Sequence, residues 1–322
     1  MNRILVIGAA GMIGRKLLQK LAQGGSLGAS RIAHATLHDV VAPQPPPGAP
    51  FQVRSVASDL SLEGEADKLV AERPGVIFHL AAVVSGEAEA DFEKGYRVNL
   101  DGTRQLFEAI RRVGAGYKPR VVFTSSIAVF GAPFPGAIGD EFLSAPLTSY
   151  GTQKAMAELL LSDYTRRGFF DGIGIRLPTV CVRPGKPNRA ASGFFSGIIR
   201  EPLNGHEAVL PVSEDVRHWH ASPRAAVGFL LHAAVLAGER IGPRRNLTMP
   251  GLSVTIAEQI AALRRVAGDA PARLIRREPD PAIMRIVKGW PQNFDAQRAR
   301  ELGFQADASF EEIIKIYIEE EL

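Results

Sequence analysis

The stretch "RILVIGAAGMIGRKLLQKLAQGG", residues 3–25, limits what this chain can fold into more than any other. The apolar run that ends at Gly8 shows no polar alternation, which is the pattern of a strand covered on both faces. Residues 12–23 then carry apolar side chains at helical spacing, and Gly24-Gly25 stops them. A buried strand that turns directly into a helix begins a strand–helix–strand unit. The next strand then pairs in parallel through a right-handed crossover.

The alternation continues. "IAHATLHDV" (32–40), "FQVRSVASDL" (51–60), "GVIFHLAA" (75–82), "RVVFTSS" (120–126) and "GIGIRLPTV" (172–180) predict five more strands. Helical patterns near 61–73, 90–113 and 150–168 lie between them, and the proline-rich "APQPPPGAP" (42–50) predicts a loop. The expected fold is α/β: a doubly wound parallel Rossmann sheet over residues 1–178. Beyond Thr179 the pieces become shorter and richer in proline. Residues 179–322 are therefore expected to form mainly a smaller C-terminal α/β substrate-binding domain, with segments at about 215–245 returning to the Rossmann core. A chain of 322 residues suffices for both.

Composition excludes several classes. Cys181 is the sole cysteine, so neither an intrachain disulfide nor a cysteine-based zinc site is expected, and no metal site is indicated. The formal charge is +4 with its cations scattered; the densest basic spot, "RLIRREP" (273–279), is too small for a nucleic-acid stripe. No stretch approaches the ~20 apolar residues that span a bilayer, and the N-terminal apolar run is too short for a signal peptide. A reducing, cytoplasmic setting without membrane or nucleic-acid partners is the expectation.

"GAAGMIG" (8–14) places glycines at the turn between the first strand and helix. Gly8 permits a tight turn, Gly11 lets a pyrophosphate approach the backbone, and Gly14 lets helix and strand pack closely. Met12 and Ile13 open the helix, whose free N–H groups and positive dipole end suit phosphates. The spacing is GxxGxxG, which could also be a purely structural turn. Asp39, at the carboxyl end of the second strand, adds weight. Its carboxylate can accept hydrogen bonds from a ribose and would repel the extra phosphate of NADP, so NAD is expected. Capping the proline loop is its plainer alternative. Asp59 and Leu60, after the third strand, are placed to meet an adenine. Leu80, Ala81 and Ala82, after the fourth, offer small or apolar residues where a dinucleotide must pass, and Pro178, within the stretch expected as the sixth strand, is a further cofactor-binding candidate. His38 and His79 read as packing residues.

Tyr150 and Lys154 stand four apart, on one face of the predicted helix 150–168. A free phenol has a pKa near ~10, too high for a base at neutral pH. An adjacent ammonium favours the phenolate, so tyrosine needs its lysine. Ser126, at the end of the fifth strand beside Ser125, can hold a substrate oxygen at the edge where open sheets bind ligands.

The glycine turn, the acidic strand end, "SSIAVFG" (125–131), the Tyr-x-x-x-Lys pair and the long C-terminal part together resemble the extended short-chain dehydrogenase/reductase family over essentially the whole chain. The resemblance implies Ser126, Tyr150 and Lys154 as the catalytic triad. It also implies Asn99, in "YRVNLDGT" (96–103), as a helix-kinking residue supporting Lys154 through water, and a homodimer through the helices at about 90–113 and 150–167. Phe130 stands where the family usually has tyrosine.

Three departures narrow the branch. Ile127-Ala128 replace the Asp-Glu pair of sugar-nucleotide dehydratases, leaving no acid for a departing hydroxyl. Thr179 stands where nucleotide-sugar epimerases typically carry asparagine. Trp219, in "RHWHASPR" (217–224), replaces a less bulky residue. Arg183, Lys186, Arg189, Arg200 and Arg217 make this part cationic, which suits a small anionic sugar acid, and a planar guanidinium is the natural partner of a carboxylate. Arg183 and Arg217 are the leading anchors, with Ser126, Tyr150 and Trp219 completing the expected substrate site. "CVRPGKPNRAASGFFSGIIREPL" (181–203) and 217–224 look like segments of a family group that oxidises a four-carbon sugar acid, D-erythronate, at C2 to 2-oxotetronate. The alternative is a nucleotide-sugar epimerase that retains NAD.

Overall fold

A computed structural model describes residues 2–114, 116–185 and 192–322. Numbering the main elements in chain order, β1 (Asn2–Ile7), α1 (Met12–Gly24), β2 (Ser30–Asp39), β3 (Gln52–Ala57), α2 (Glu65–Val70) and β4 (Val76–His79) come first. Next are α3 (Gly102–Val113), β5 (Arg120–Ser126), α4 (Ser149–Arg166) and β6 (Asp171–Leu177). The remaining main elements are β7 (Thr179–Val180), α5 (Gly193–Leu203), β8 (Arg217–Ala221), α6 (Pro223–Val235), β9 (Asn246–Thr248), β10 (Leu252–Thr255), α7 (Ile256–Ala267) and α8 (Phe310–Glu321).

The large sheet runs β3-β2-β1-β4-β5-β6-β9, all parallel, with the short Ser26–Leu27 strand added antiparallel on β2. Strand order reverses between β1 and β4, which opens a crevice at their carboxyl ends. The burial of β1 explains why its sequence is uniformly apolar. Ile4 and Val6 pack into a cluster with Leu17, Leu18 and Leu21 of α1 and Phe229 and Leu230 of α6. Leu5 and Ile7 face the other way, toward Leu106, Phe107 and Ile110 of α3 and Leu161 of α4. A further cluster gathers Phe195, Ile198 and Ile199 of α5 with Ile260 and Leu263 of α7 and Ile313 and Ile314 of α8. Cys181 is fully buried there, and burial pushes its thiol up to about 12, so it is no nucleophile at neutral pH.

One segment departs from the sequence reading and another bears out a kink. The stretch expected as one strand over 172–180 splits at Pro178, which has no N–H for the ladder. Beyond it, β7 leaves the large sheet and pairs with β8 in a three-stranded sheet ordered β10-β8-β7. The helical pattern at 90–113 is interrupted where Asn99 is expected to kink it: Phe92–Tyr96 passes through a π-helical turn, Arg97–Asp101, before α3 begins. Among the described residues, no helix is long and apolar enough to cross a membrane.

Candidate active site

At the crevice, Gly8 has φ +90°, and a Cβ there would lie 2.5 Å from the Ala81 nitrogen. A Cβ on Gly14 would lie 2.3 Å from the Gly8 carbonyl oxygen. Both glycines therefore let α1 start directly against the strand ends. Gly11 is the N-cap of α1 and brings no side-chain cap, so the first N–H groups of the helix, over Met12 and Ile13, keep their capacity for a ligand. Leu80 and Ala81 both donate their N–H to the Ile7 carbonyl, at 2.8 and 3.1 Å, and Ala82 follows. The Asp39 carboxylate accepts the Ala10 N–H at 2.9 Å and the Val40 N–H at 2.7 Å. It thus joins the end of β2 to the glycine turn. Asp59 accepts both the N–H and the O–H of Ser61 and pairs with Arg97, while Leu60 beside it is buried. Pro178 lies just past β6 on the same edge. The crowded glycines, bare helix start and edge carboxylate are the features a dinucleotide needs, so these residues fit NAD.

His38 and His79 are interior residues. The first is hydrogen-bonded to Ser58 and the second to Thr103, with burial lowering the His79 ring to about 3.

Close packing also positions the catalytic candidates. A Cβ on Gly151 would lie 2.1 Å from the Ala128 carbonyl oxygen, so only glycine lets α4 press against the loop that follows β5. The Thr148 hydroxyl accepts the Gly151 N–H at 3.1 Å and caps the helix. This contact brings Tyr150 beside Ser126. Burial raises the Tyr150 phenol to about 12, against the downward pull of a Ser126 hydrogen bond and of the Arg183 charge. Lys154 is 2% exposed, and burial brings it down to about 7, with Glu158 opposing. Its Nζ donates to the Thr124 carbonyl at 2.8 Å and lies 4.8 Å from the Phe123 ring centroid and 5.8 Å from that of Tyr150.

The two neighbouring serines diverge. The Ser126 Oγ accepts the Ala128 N–H and faces Tyr150, whereas the Ser125 hydroxyl donates to Glu158 at 2.5 Å. Asn99 sits in the π-helical turn, 1% exposed. Its side chain accepts the Val83 N–H at 2.8 Å and donates to the Val83 carbonyl and, at 2.7 Å, to the Gln153 amide oxygen. Asn99 thereby ties the segment after β4 to the residue preceding Lys154.

The expected anchors part company. Arg183 is clamped, with Nε on the Val180 carbonyl at 3.0 Å and a terminal nitrogen on the Ser192 hydroxyl at 2.7 Å. Arg200 donates to the Arg183 carbonyl at 2.8 Å and pairs with Glu201. The positive charge of Arg183 acts on Tyr150 in the sense that favours its phenolate. Arg217 is turned instead to the Ser253 carbonyl at 2.8 Å and to Glu258 at 3.3 Å. Trp219 is 4% exposed; its indole N–H donates to the Met249 carbonyl, and its ring packs near Phe294. Lys186 and Arg189 lie outside the described residues. The Thr179 hydroxyl is 2.7 Å from His218 Nε2, and the His218 ring stacks on Phe195.

Sequence reasoning passed over Thr124, Gln153, Glu158, Arg176 and His218. A signal existed for two of them: Arg176 interrupts the apolar run of β6, and Glu158 falls one helical turn after Lys154.

The profile of the NAD dependent epimerase/dehydratase family matches residues 4–227. The chain belongs to that family, and NAD is its cofactor. It is 51% identical over 321 residues to a D-erythronate dehydrogenase of Cupriavidus necator, covering 98% of each chain. To a D-erythronate dehydrogenase of Haemophilus influenzae it is 41% identical over 317 residues, 98% of this chain and 99% of the relative. A solved structure described as the nucleoside-diphosphate-sugar epimerase from Agrobacterium tumefaciens is 67% identical, with a TM-score of 0.98 over 99% of this chain and 94% of that one.

Proposed function

We propose that this family member is an NAD-dependent dehydrogenase that oxidises a small sugar acid at a secondary hydroxyl, and that the acid is D-erythronate, converted to 2-oxotetronate. The observation carrying the reading is a cationic arginine, Arg183, held by three hydrogen bonds, one to Val180 of β7 and two to Ser192 and Ser196 at the start of α5, with its charge acting on Tyr150 of the Ser126–Tyr150–Lys154 group. The two D-erythronate dehydrogenase relatives support it over the full chain.

In this reading Gly8, Gly11, Met12, Ile13, Gly14, Asp39, Asp59, Leu60, Leu80, Ala81, Ala82 and Pro178 hold NAD, together with Asn99, Tyr150 and Lys154. When bound, NAD supplies the hydride acceptor and a cationic ring. Ser126 holds the substrate hydroxyl by a hydrogen bond. The Tyr150 phenolate takes the hydroxyl proton as the carbinol hydrogen leaves as hydride, so the C–O bond becomes a carbonyl. The Lys154 ammonium favours that phenolate through its charge. Arg183 receives the carboxylate, fixing which carbon faces Tyr150. Residues 1–178 bind the cofactor and 179–322 mainly the substrate, with about 215–245 returning to the Rossmann core, where α6 packs on α1. The enzyme is a cytoplasmic homodimer, built through the faces of α3 and α4, where Leu159 is 72% exposed.

Incubation of the enzyme with NAD and a panel of four- and five-carbon sugar acids, read by NADH absorbance, tests this. D-Erythronate is expected to be the best substrate; absence of NADH with every acid would reject it. The description of the Agrobacterium structure favours a second reading, a nucleotide-sugar epimerase that retains NAD. Against it, the Thr179 hydroxyl at the usual diphosphate-binding position is engaged by His218. Epimerisation of a nucleotide sugar without net NADH would establish that second reading.

A further inference from the structure

Beneath the catalytic pair lies a buried charged network that the reaction, as derived above, does not use. Glu158 is one helical turn beyond Lys154 on α4 and 3% exposed. Arg176, from β6, grips it with two nitrogens, Nε at 2.9 Å from one carboxylate oxygen and a terminal nitrogen at 2.7 Å from the other. The Ser125 hydroxyl of β5 donates to the same carboxylate at 2.5 Å. The Arg176 guanidinium carbon itself lies over the Phe130 ring, 4.8 Å from its centroid. The Glu158 carbonyl accepts the Asn246 side chain of β9 at 3.2 Å. One carboxylate thus joins the helix carrying Tyr150 and Lys154 to the strand ending in Ser126 and to the next strand over.

An ion pair this deep is poor evidence of stabilisation, because removing both charges from water offsets most of their attraction. Its place calls for another role. Lys154 is surrounded by groups that give it no negative partner: the Thr124 carbonyl and Phe123 of β5, Tyr150 on its own helix, and His79 of β4, which burial keeps neutral. Arg183 adds positive charge on the Tyr150 side. Glu158 is the carboxylate that acts on Lys154.

We propose that Glu158 is a positioning residue of this active site: pinned by Arg176 and Ser125, it holds the Ser126 strand end against α4 and supplies the negative charge that the Lys154 ammonium faces. The inference rests on the Ser126–Tyr150–Lys154 reading. Loss of the Glu158 charge, with Arg176 left behind, makes the protonated lysine less favourable. The lysine then loses its proton at lower pH, and the phenolate loses its cation with it.

The test is the pH dependence of kcat/KM with NAD and the best sugar acid. Glu158→Gln keeps the shape and the Ser125 contact. It is expected to move the basic limb down by about one pH unit, a tenfold change in the proton equilibrium. The double variant Glu158→Gln/Arg176→Gln removes the Arg176 charge together with that of Glu158 and is expected to place the limb between Glu158→Gln and wild type. Glu158→Asp should recover most of the wild-type profile. If Glu158→Gln does not fold, the double variant alone carries the test, with its limb still below wild type. A purely structural role would lower rates without moving the limb. Basic limbs coincident with wild type in every folded variant would overturn the proposal. Tyr150→Phe is run alongside: full turnover there would reject the underlying reading, whereas an inactive Tyr150→Phe with unmoved Glu158 profiles would reject this inference alone.

Discussion

Lys154 holds its Nζ on the Thr124 carbonyl at 2.8 Å, with the Tyr150 ring centroid 5.8 Å away. The lysine is thus anchored to β5 while sharing a helical face with the tyrosine. The interior acts on the two groups in opposite senses, taking the phenol up to about 12 and the ammonium down to about 7. Both shifts disfavour the charged forms that catalysis requires. The site is therefore expected to cost the fold stability.

That cost is measurable. The folded pKa of Lys154 is depressed from 10.5 to about 7, so its burial penalty is full below pH 7, declines as pH rises, and vanishes above 10.5. Lys154→Met should abolish turnover yet stabilise the protein by on the order of 1–3 kcal/mol at pH 6, after subtracting the lost Thr124 hydrogen bond. Denaturant unfolding at a series of pH values should show the gain shrinking toward pH 10. A gain independent of pH would contradict the assignment.

Asp39 has a double task, accepting the Ala10 N–H while presenting its charge at the edge of the crevice. NAD should be preferred over NADP by at least ~1.4 kcal/mol, a tenfold ratio in kcat/KM. Asp39→Asn keeps an acceptor for Ala10 but loses the charge, so the preference should fall toward parity. Equal use of both cofactors by the wild type would remove the role given to Asp39.

The two arginines give a contrast within one assay. Arg183→Ala should lower kcat/KM by about ten- to a hundredfold, the ~1.5–3 kcal/mol of a charge-assisted hydrogen bond, and Arg183→Lys should restore only part of it. Arg217→Ala should change kcat/KM by less than about threefold, since its partner Glu258 is half exposed. NAD affinity should be unaffected in both. The reverse ranking would move the carboxylate to the β8 edge.

What the sequence disclosed, and what it withheld, follows from the range of the interactions. β1, β4 and β5 were legible because both faces are buried and the run is continuously apolar. The turn at Gly8 and Gly14 was legible because backbone crowding there admits no Cβ. Tyr150 and Lys154 needed only a helix and a spacing of four. The kink at Asn99 was implied by resemblance, but its partners were hidden, since the amide reaches Val83 and Gln153, far away in sequence. The break at Pro178 was written in the sequence, yet the departure of β7 into another sheet depends on a partner, β8, whose His220 and Ala221 pair with Thr179 and Val180 from far along the chain. Nothing local distinguished Ser125 from Ser126 either; the side of the strand facing Glu158 decided it.

The most direct test of the account is the initial rate of NADH formation from D-erythronate and NAD, wild type against Tyr150→Phe, with NAD affinity measured for both. The account predicts robust turnover by the wild type, loss of nearly all of it in the variant, and NAD binding within a few-fold. Near-normal turnover by Tyr150→Phe, or none by the wild type with any small sugar acid, would contradict it.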